Sequence, residues 1–144
     1  MTLNEIPEVL VVEDDPQDRE LTLRALRRAN LANAIRIAED GVAALDYLLG
    51  DREYETSAPS LVLLDLKLPK LSGLEVLARL RAEEKTRLVP VVVLTSSKED
   101  RDIERAYELG VNSYIVKPVE FDSFVKAVGR IGFYWLLLNQ HPEA

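Results

Sequence analysis

The chain has 144 residues, enough for one domain with a full hydrophobic core, and its 47% apolar and 30% charged residues are an ordinary soluble composition. A formal net charge of -7 with no long Lys/Arg stretch argues against nucleic acid or an anionic membrane as the main partner; no signal peptide opens the chain and no apolar run is long enough to span a bilayer, so a cytoplasmic protein is expected. There is no cysteine, and the one histidine, His141, lies in a polar tail, which removes disulfides, thiol catalysis and zinc-thiolate sites and argues against a Ser-His-Asp triad or a histidine metal cluster.

Glu8 to Val12 reads as a short apolar strand closed by Glu13-Asp14-Asp15-Pro16. Asp15 suits the N-cap and Pro16 the first turn of a helix running from about Gln17 to Ala29, with Leu21, Leu23, Ala25 and Leu26 on its apolar side. Ala34 to Ala38 alternates as a half-buried edge strand should. Asp40-Gly41 opens the next helix, which Gly50 stops, and the polar stretch from Asp51 to Pro59 reads as a surface loop. Leu61-Val62-Leu63-Leu64 is a continuous apolar run, the signature of a strand buried on both faces of a parallel sheet, and it ends in Asp65. Ser72-Gly73 begins a helix to about Ala82, with Leu74, Leu77 and Leu80 inward and Val76 at the border. Pro90 to Leu94 is another buried strand, followed by Thr95-Ser96-Ser97, where Ser96 with Glu99 resembles a capping box for a helix that runs to Leu109 and is stopped by Gly110. Asn112 to Val116 is the last strand, ended by Lys117-Pro118, and a final helix from Phe121 carries Phe124, Val128 and Ile131 inward.

Strand and helix alternate five times, which predicts a single α/β domain: a doubly wound parallel sheet with helices on both faces. The unusual polar residues all follow strands: Glu13, Asp14 and Asp15, then Asp65, Thr95 and Lys117. In a parallel sheet these ends share one edge, where open α/β sheets bind ligands. Taken alone, Asp65 reads as the opening of a turn; the coincidence of four strand ends overturns that reading. Three neighbouring carboxylates raise each other's pKa, and a divalent cation relieves the conflict. All-oxygen ligands suit Mg2+, with Asp14 and Asp65 as direct ligands, Glu13 acting through water and the Lys67 backbone carbonyl as a further oxygen. Asp65 then has the setting of a nucleophile toward a phosphoryl group, Thr95 offers a hydroxyl, and Lys117 a mobile charge that pairs with phosphate.

The segments Val12-Glu13-Asp14-Asp15, Leu64 to Pro69 with Gly73, Leu94-Thr95-Ser96 and Tyr114 to Pro118 together resemble the response-regulator receiver domain of two-component signalling. The resemblance covers nearly the whole chain in the right order. It implies the flavodoxin-like (βα)5 fold with strand order 2-1-3-4-5, and phosphotransfer from a histidine kinase to Asp65 with Mg2+. It makes Glu13 and Asp14 the acidic pair, Thr95 the switch hydroxyl, Tyr114 the switch aromatic and Lys117 the phosphate-sensing amine, with a cis peptide between Lys117 and Pro118. A narrower resemblance, carried by Arg24 to Leu31 and by Gly132 to Leu138, is to stand-alone receivers serving bacterial phytochrome kinases. It implies a protein that switches protein-protein interactions or shuttles phosphate in a relay, without an attached output domain.

An aspartyl-nucleophile phosphatase of the haloacid-dehalogenase type is the enzymatic alternative, but it wants a second acid two residues after the nucleophile, where this chain has Lys67. A flavodoxin-like cofactor binder lacks its hydroxyl-rich phosphate loop after the first strand. The kinase is expected to dock beside the Asp65 edge, on Gln17, Asp18 and Leu21 with Val119 and Glu120 opposite. Residues 132–144 read as a helix extension and tail. Phe133, Tyr134, Trp135, Leu136, Leu137 and Leu138 are apolar at every position, more than one inward helix face requires, and with the strip at Gly129 and Gly132 they predict a two-fold homodimer. The face around the fourth helix and fifth strand is the second candidate surface.

Overall fold

The structure, a computed structural model, describes residues 8–29, 34–50, 59–117 and 120–132, with residues 131 and 132 described by backbone alone. Its strands are β1 (Val9–Val12), β2 (Ile35–Ala38), β3 (Leu61–Leu64), β4 (Val91–Thr95) and β5 (Ser113–Val116). Between and after them run α1 (Pro16–Arg28), α2 (Gly41–Leu49), α3 (Gly73–Ala82), α4 (Asp100–Glu108) and α5 (Phe121–Gly132). All pairings are parallel, in the order β2-β1-β3-β4-β5, so the chain has the expected flavodoxin-like fold.

β1, β3 and β4 are buried at every residue, as strands covered on both faces must be. Successive side chains go to opposite faces. Leu10, Val12, Val62, Leu64, Val91 and Val93 join residues of α2, α3 and α4 in one core. Val9, Val11, Leu61, Leu63, Val92 and Leu94 join Ala25, Leu26, Phe124 and Val128 of α1 and α5 in the other. Each such side chain contributes about 1.5–3 kcal/mol on burial, so the two layers fix the strand register firmly.

That register builds the site. Val12 pairs with Leu64, Leu64 with Val93, and Thr95 with Val116. The ladder continues one residue beyond: Asp65 N–H donates to Val12 O at 3.1 Å and Lys117 N–H to Thr95 O at 2.7 Å. Glu13, Asp65, Thr95 and Lys117 therefore leave the sheet along one edge.

Several local expectations change. Val76 is fully buried while Leu74 is only half-buried, so Val76 belongs to the inner face of α3 and Leu74 to its border. The reciprocal capping box lies at Ser72 and Glu75, not at Ser96 and Glu99. Ser96 points to solvent; the buried Ser97 spends its hydroxyl on Asp102 at 2.5 Å, and α4 starts after Glu99 with no side-chain cap. In β2 the core beside α1 and α5 reaches Ile35 but leaves Ile37 45% exposed, and in α1 Leu21 is 37% exposed. Phe124 and Val128 face inward as expected. The Ile131 side chain, Pro118, Val119 and Phe133 to Leu138 lie outside the described residues. Gly110 ends α4 with φ +83, a conformation that costs glycine little.

Gly73 is required for a different reason. A Cβ there would lie 2.2 Å from the Asp65 carbonyl oxygen and 2.5 Å from Leu66 Cα, both backbone atoms. The glycine lets α3 start directly against the segment that carries Asp65. Gly73→Ala is expected to destabilise the domain by about 1–3 kcal/mol, the usual cost of overpacking. Urea unfolding measures it, and an unchanged midpoint would show that the loop yields freely.

Candidate functional site

β1 delivers Glu13 into the protein, buried, and Asp14 into solvent. The turn that follows is held by α1. Asp15 accepts from Gln17 N–H at 2.8 Å and Asp18 N–H at 3.0 Å as the N-cap, and Arg19 Nη1 donates to the Glu13 carbonyl at 3.1 Å and the Asp14 carbonyl at 3.4 Å. β3 delivers Asp65, also buried. Carboxylate oxygens of Glu13, Asp14 and Asp65 all lie within 4.8 Å of one another.

β5 brings the counter-charge. Lys117 Nζ donates to Glu13 Oε1 at 2.7 Å, Asp18 Oδ2 at 2.8 Å and Asp65 Oδ2 at 3.2 Å. Asp65 Oδ1 accepts from Lys67 N–H at 3.0 Å, and Glu13 Oε2 from Asp15 N–H at 3.3 Å. Several acids thus share one amine. Burial pushes the Glu13 carboxyl up to about 7; the Lys117 hydrogen bond opposes this and the neighbouring Asp65 charge reinforces it. Burial alone would lower the Lys117 pKa, but the hydrogen bonds to Asp18 and Glu13 and the Asp65 charge outweigh it and hold the ammonium above the ordinary lysine range.

The Asp14 carboxylate, at the mouth, has no hydrogen bond or ion pair among the described residues. Two buried carboxylates that retain spare lone pairs, with a third exposed one at the entrance, form an all-oxygen donor set that fits a hard divalent cation. Lys67 enters the site through its amide.

Thr95 is fully buried at the end of β4, and its Oγ1 accepts from Ser97 N–H at 3.4 Å. Tyr114 Oη donates to the Ser97 carbonyl at 3.0 Å, and burial raises its pKa against that hydrogen bond. Ser97 thus joins Thr95, Tyr114 and, through its hydroxyl, Asp102 of α4. Sequence reasoning misses the Ser97 junction and places Asp18 only on the kinase-docking surface. Asp18 lies in the first turn of α1, where the macrodipole alone favours an acid, so no sequence signal distinguishes it as a site residue.

Among the docking candidates, Gln17, Leu21 and Glu120 are exposed and Asp18 is half-buried, with its carboxylate in the Lys117 network. Gly129 is half-buried, where a Cβ would sit 3.7 Å from Ala29 Cβ, so it faces the α1 side of its own domain. No helix among the described residues is long and apolar enough to cross a membrane.

Residues 9–129 match the response regulator receiver domain. The chain belongs to that family. Among relatives of this receiver, the probable methanogenesis regulatory protein FilR2 of Methanothrix harundinacea is 44% identical over 93% of this chain and 86% of its own. Response regulator Rcp1 of Synechocystis is 40% identical over 94% of this chain and 93% of its own. Its Mn2+-bound structure covers 96% of this chain and 100% of that one at 37% identity and TM-score 0.82. The phosphorylated cyanobacterial phytochrome response regulator RcpA covers 96% and 100% at 35% identity and TM-score 0.84. The bacteriophytochrome response regulator AtBRR covers 94% and 99% at 51% identity and TM-score 0.74. This receiver is thus related to phytochrome response regulators, and receiver domains bind Mg2+ or Mn2+ in the acidic pocket and interact with histidine kinases.

Proposed function

We propose that this receiver accepts a phosphoryl group on Asp65 from a histidine kinase of the phytochrome type and thereby switches its protein-protein interactions. The observation that carries the reading is the placement of Asp65 at the end of β3, among Glu13, Asp14 and the Lys117 ammonium. In the transfer, an Asp65 oxygen forms the new bond to phosphorus as the bond from phosphorus to the kinase histidine breaks. Asp14 and Asp65 would hold a divalent cation directly, Glu13 through water, with the Lys67 carbonyl as a further oxygen. The cation supplies charge neutralisation for the incoming phosphoryl oxygens. Lys117 pairs with a phosphoryl oxygen once Asp65 no longer offers both of its own. Thr95 donates its hydroxyl to another, and a shift of Oγ1 toward that oxygen would stretch its contact with Ser97 N–H and so reach Tyr114 and α4.

The phytochrome assignment draws on Rcp1, RcpA and AtBRR, and the docking surface on the exposure of Gln17, Leu21 and Glu120. The test is competitive phosphotransfer with a phytochrome histidine kinase and unrelated kinases at equal concentration. Faster labelling by the phytochrome kinase supports the pathway, and equal or slower labelling refutes it. Exchange of Gln17, Asp18, Leu21, Val119 and Glu120 for those of an unrelated receiver should redirect the preference. The homodimer on α5 and residues 133–138 is proposed from the apolar run, and sedimentation of the full chain against one stopped after Gly132 tests it.

Metal binding should depend on pH. The cation requires the Glu13 carboxylate, whose proton leaves only around pH 7. Affinity for Mg2+ is therefore expected to fall about tenfold between pH 8 and pH 6, by proton competition. Titrations at the two pH values measure it, and equal affinities would remove Glu13 from the cation's surroundings. For stability the sign is the reverse. A carboxyl whose folded pKa is raised contributes fully below its unfolded value of 4.5 and loses that contribution as pH rises through about 7.

A further inference from the structure

Among the described residues, the buried polar ones are Glu13, Thr22, Asp65, Thr86, Thr95 and Ser97. Five of the six have hydrogen bonds: Thr86 donates to the Leu80 carbonyl at 2.8 Å, and the others are joined as described above. Thr22, 2% exposed on the inward face of α1, is the exception; its hydroxyl has no partner among the described residues. An unpaired buried hydroxyl costs on the order of 1–3 kcal/mol, so something should meet it.

Thr22 lines a small cavity beneath the site. Its other walls are Val11, Val12, Glu13, Leu63, Leu64, Asp65 and Leu94. The volume is about 10 Å³, room for one water molecule and too little for any larger ligand. A water also needs polar partners. Each carboxylate oxygen of Glu13 and Asp65 accepts one hydrogen bond, from Lys117, Asp15 or Lys67, and each has a second lone pair.

We propose that this cavity holds a single internal water, bound by the Thr22 hydroxyl and donating to the Glu13 carboxylate, and that Thr22 thereby positions Glu13 from beneath. α1 would then touch the acidic site from its inward face while its outward face carries the docking residues. The consequence for the cation rests on the phosphoacceptor reading above; the water itself does not.

The test uses the full chain and two variants, Thr22→Val, which removes the hydroxyl, and Thr22→Ser, which keeps it. Metal-free crystal structures should show the ordered water in the native protein and in Thr22→Ser, and none in Thr22→Val. Loss of a group that orients a direct metal ligand typically weakens metal binding by about 10–100-fold, and Glu13 reaches the cation through water, so the effect here should sit at or below the lower end of that range. Mn2+ affinity should therefore fall by about three- to tenfold in Thr22→Val and recover in Thr22→Ser, with thermal melts confirming that both variants are folded. A dry cavity in the native protein, or a retained water in Thr22→Val, would overturn the site. Equal Mn2+ affinity in folded Thr22→Val would overturn the positioning role. A native protein that binds no Mn2+ would instead refute the cation reading, and the crystal structures would still decide the water.

Discussion

Asp65→Asn is expected to abolish phosphoryl labelling, by at least about a hundredfold, because the amide is a far weaker nucleophile than the carboxylate. The fold should survive. The side chain keeps its size, the Lys67 N–H can still donate to the remaining carbonyl oxygen, and Lys117 retains Glu13 and Asp18. Removing one of the crowded charges also relieves Glu13, so stability should stay within about 1 kcal/mol and the Glu13 pKa should fall. Labelling with acetyl phosphate and Mg2+, read beside urea unfolding, measures both. Full labelling of a folded Asp65→Asn protein would move the acceptor elsewhere.

Lys117→Ala should have the largest effect on stability. Its ammonium is the shared partner of Glu13, Asp18 and Asp65, and two of those carboxylates are almost fully enclosed. Breaking a buried pair by removing one partner costs about 3–5 kcal/mol, because the other charge stays behind. Asp18 is partly exposed and Glu13 can take up a proton, so a loss on the order of 3 kcal/mol is expected at pH 8, with a smaller loss at pH 6. Mg2+ should restore part of it by supplying a replacement cation. Phosphorylation should persist while the response in partner binding is lost, because in the proposed function Lys117 pairs with the phosphate and Asp65 performs the attack. A variant as stable as the native protein would mean that the three contacts contribute little.

The sheet and its edge were legible because the signals were strong and local. Leu61 to Leu64 has no polar position, so it had to be a central strand, and Asp65 at its end had to meet the neighbouring strand ends. Finer features depended on packing that no periodicity records. Leu74 and Val76 are both apolar and two positions apart on α3; which one enters the core depends on how the helix rolls against β3. Ser96 and Ser97 are the same residue type, and only the exit direction of β4 decides which hydroxyl turns inward. Thr22 carries no signal in the sequence, because the cavity it lines exists only once β1, β3 and α1 are assembled. The Asp18–Lys117 contact joins residues at opposite ends of the chain, which sequence spacing could not pair.

In the proposed function Asp65 is a phosphoacceptor rather than a turn residue or the nucleophile of a phosphatase. Its most direct test is to incubate the native chain with a small-molecule phosphodonor and Mg2+, count phosphates retained and released per chain, and map the acyl phosphate by borohydride reduction and peptide sequencing. A phosphoacceptor retains one phosphate per chain, slowly lost, on Asp65. Label at another residue, or rapid release of many phosphates per chain, would contradict it.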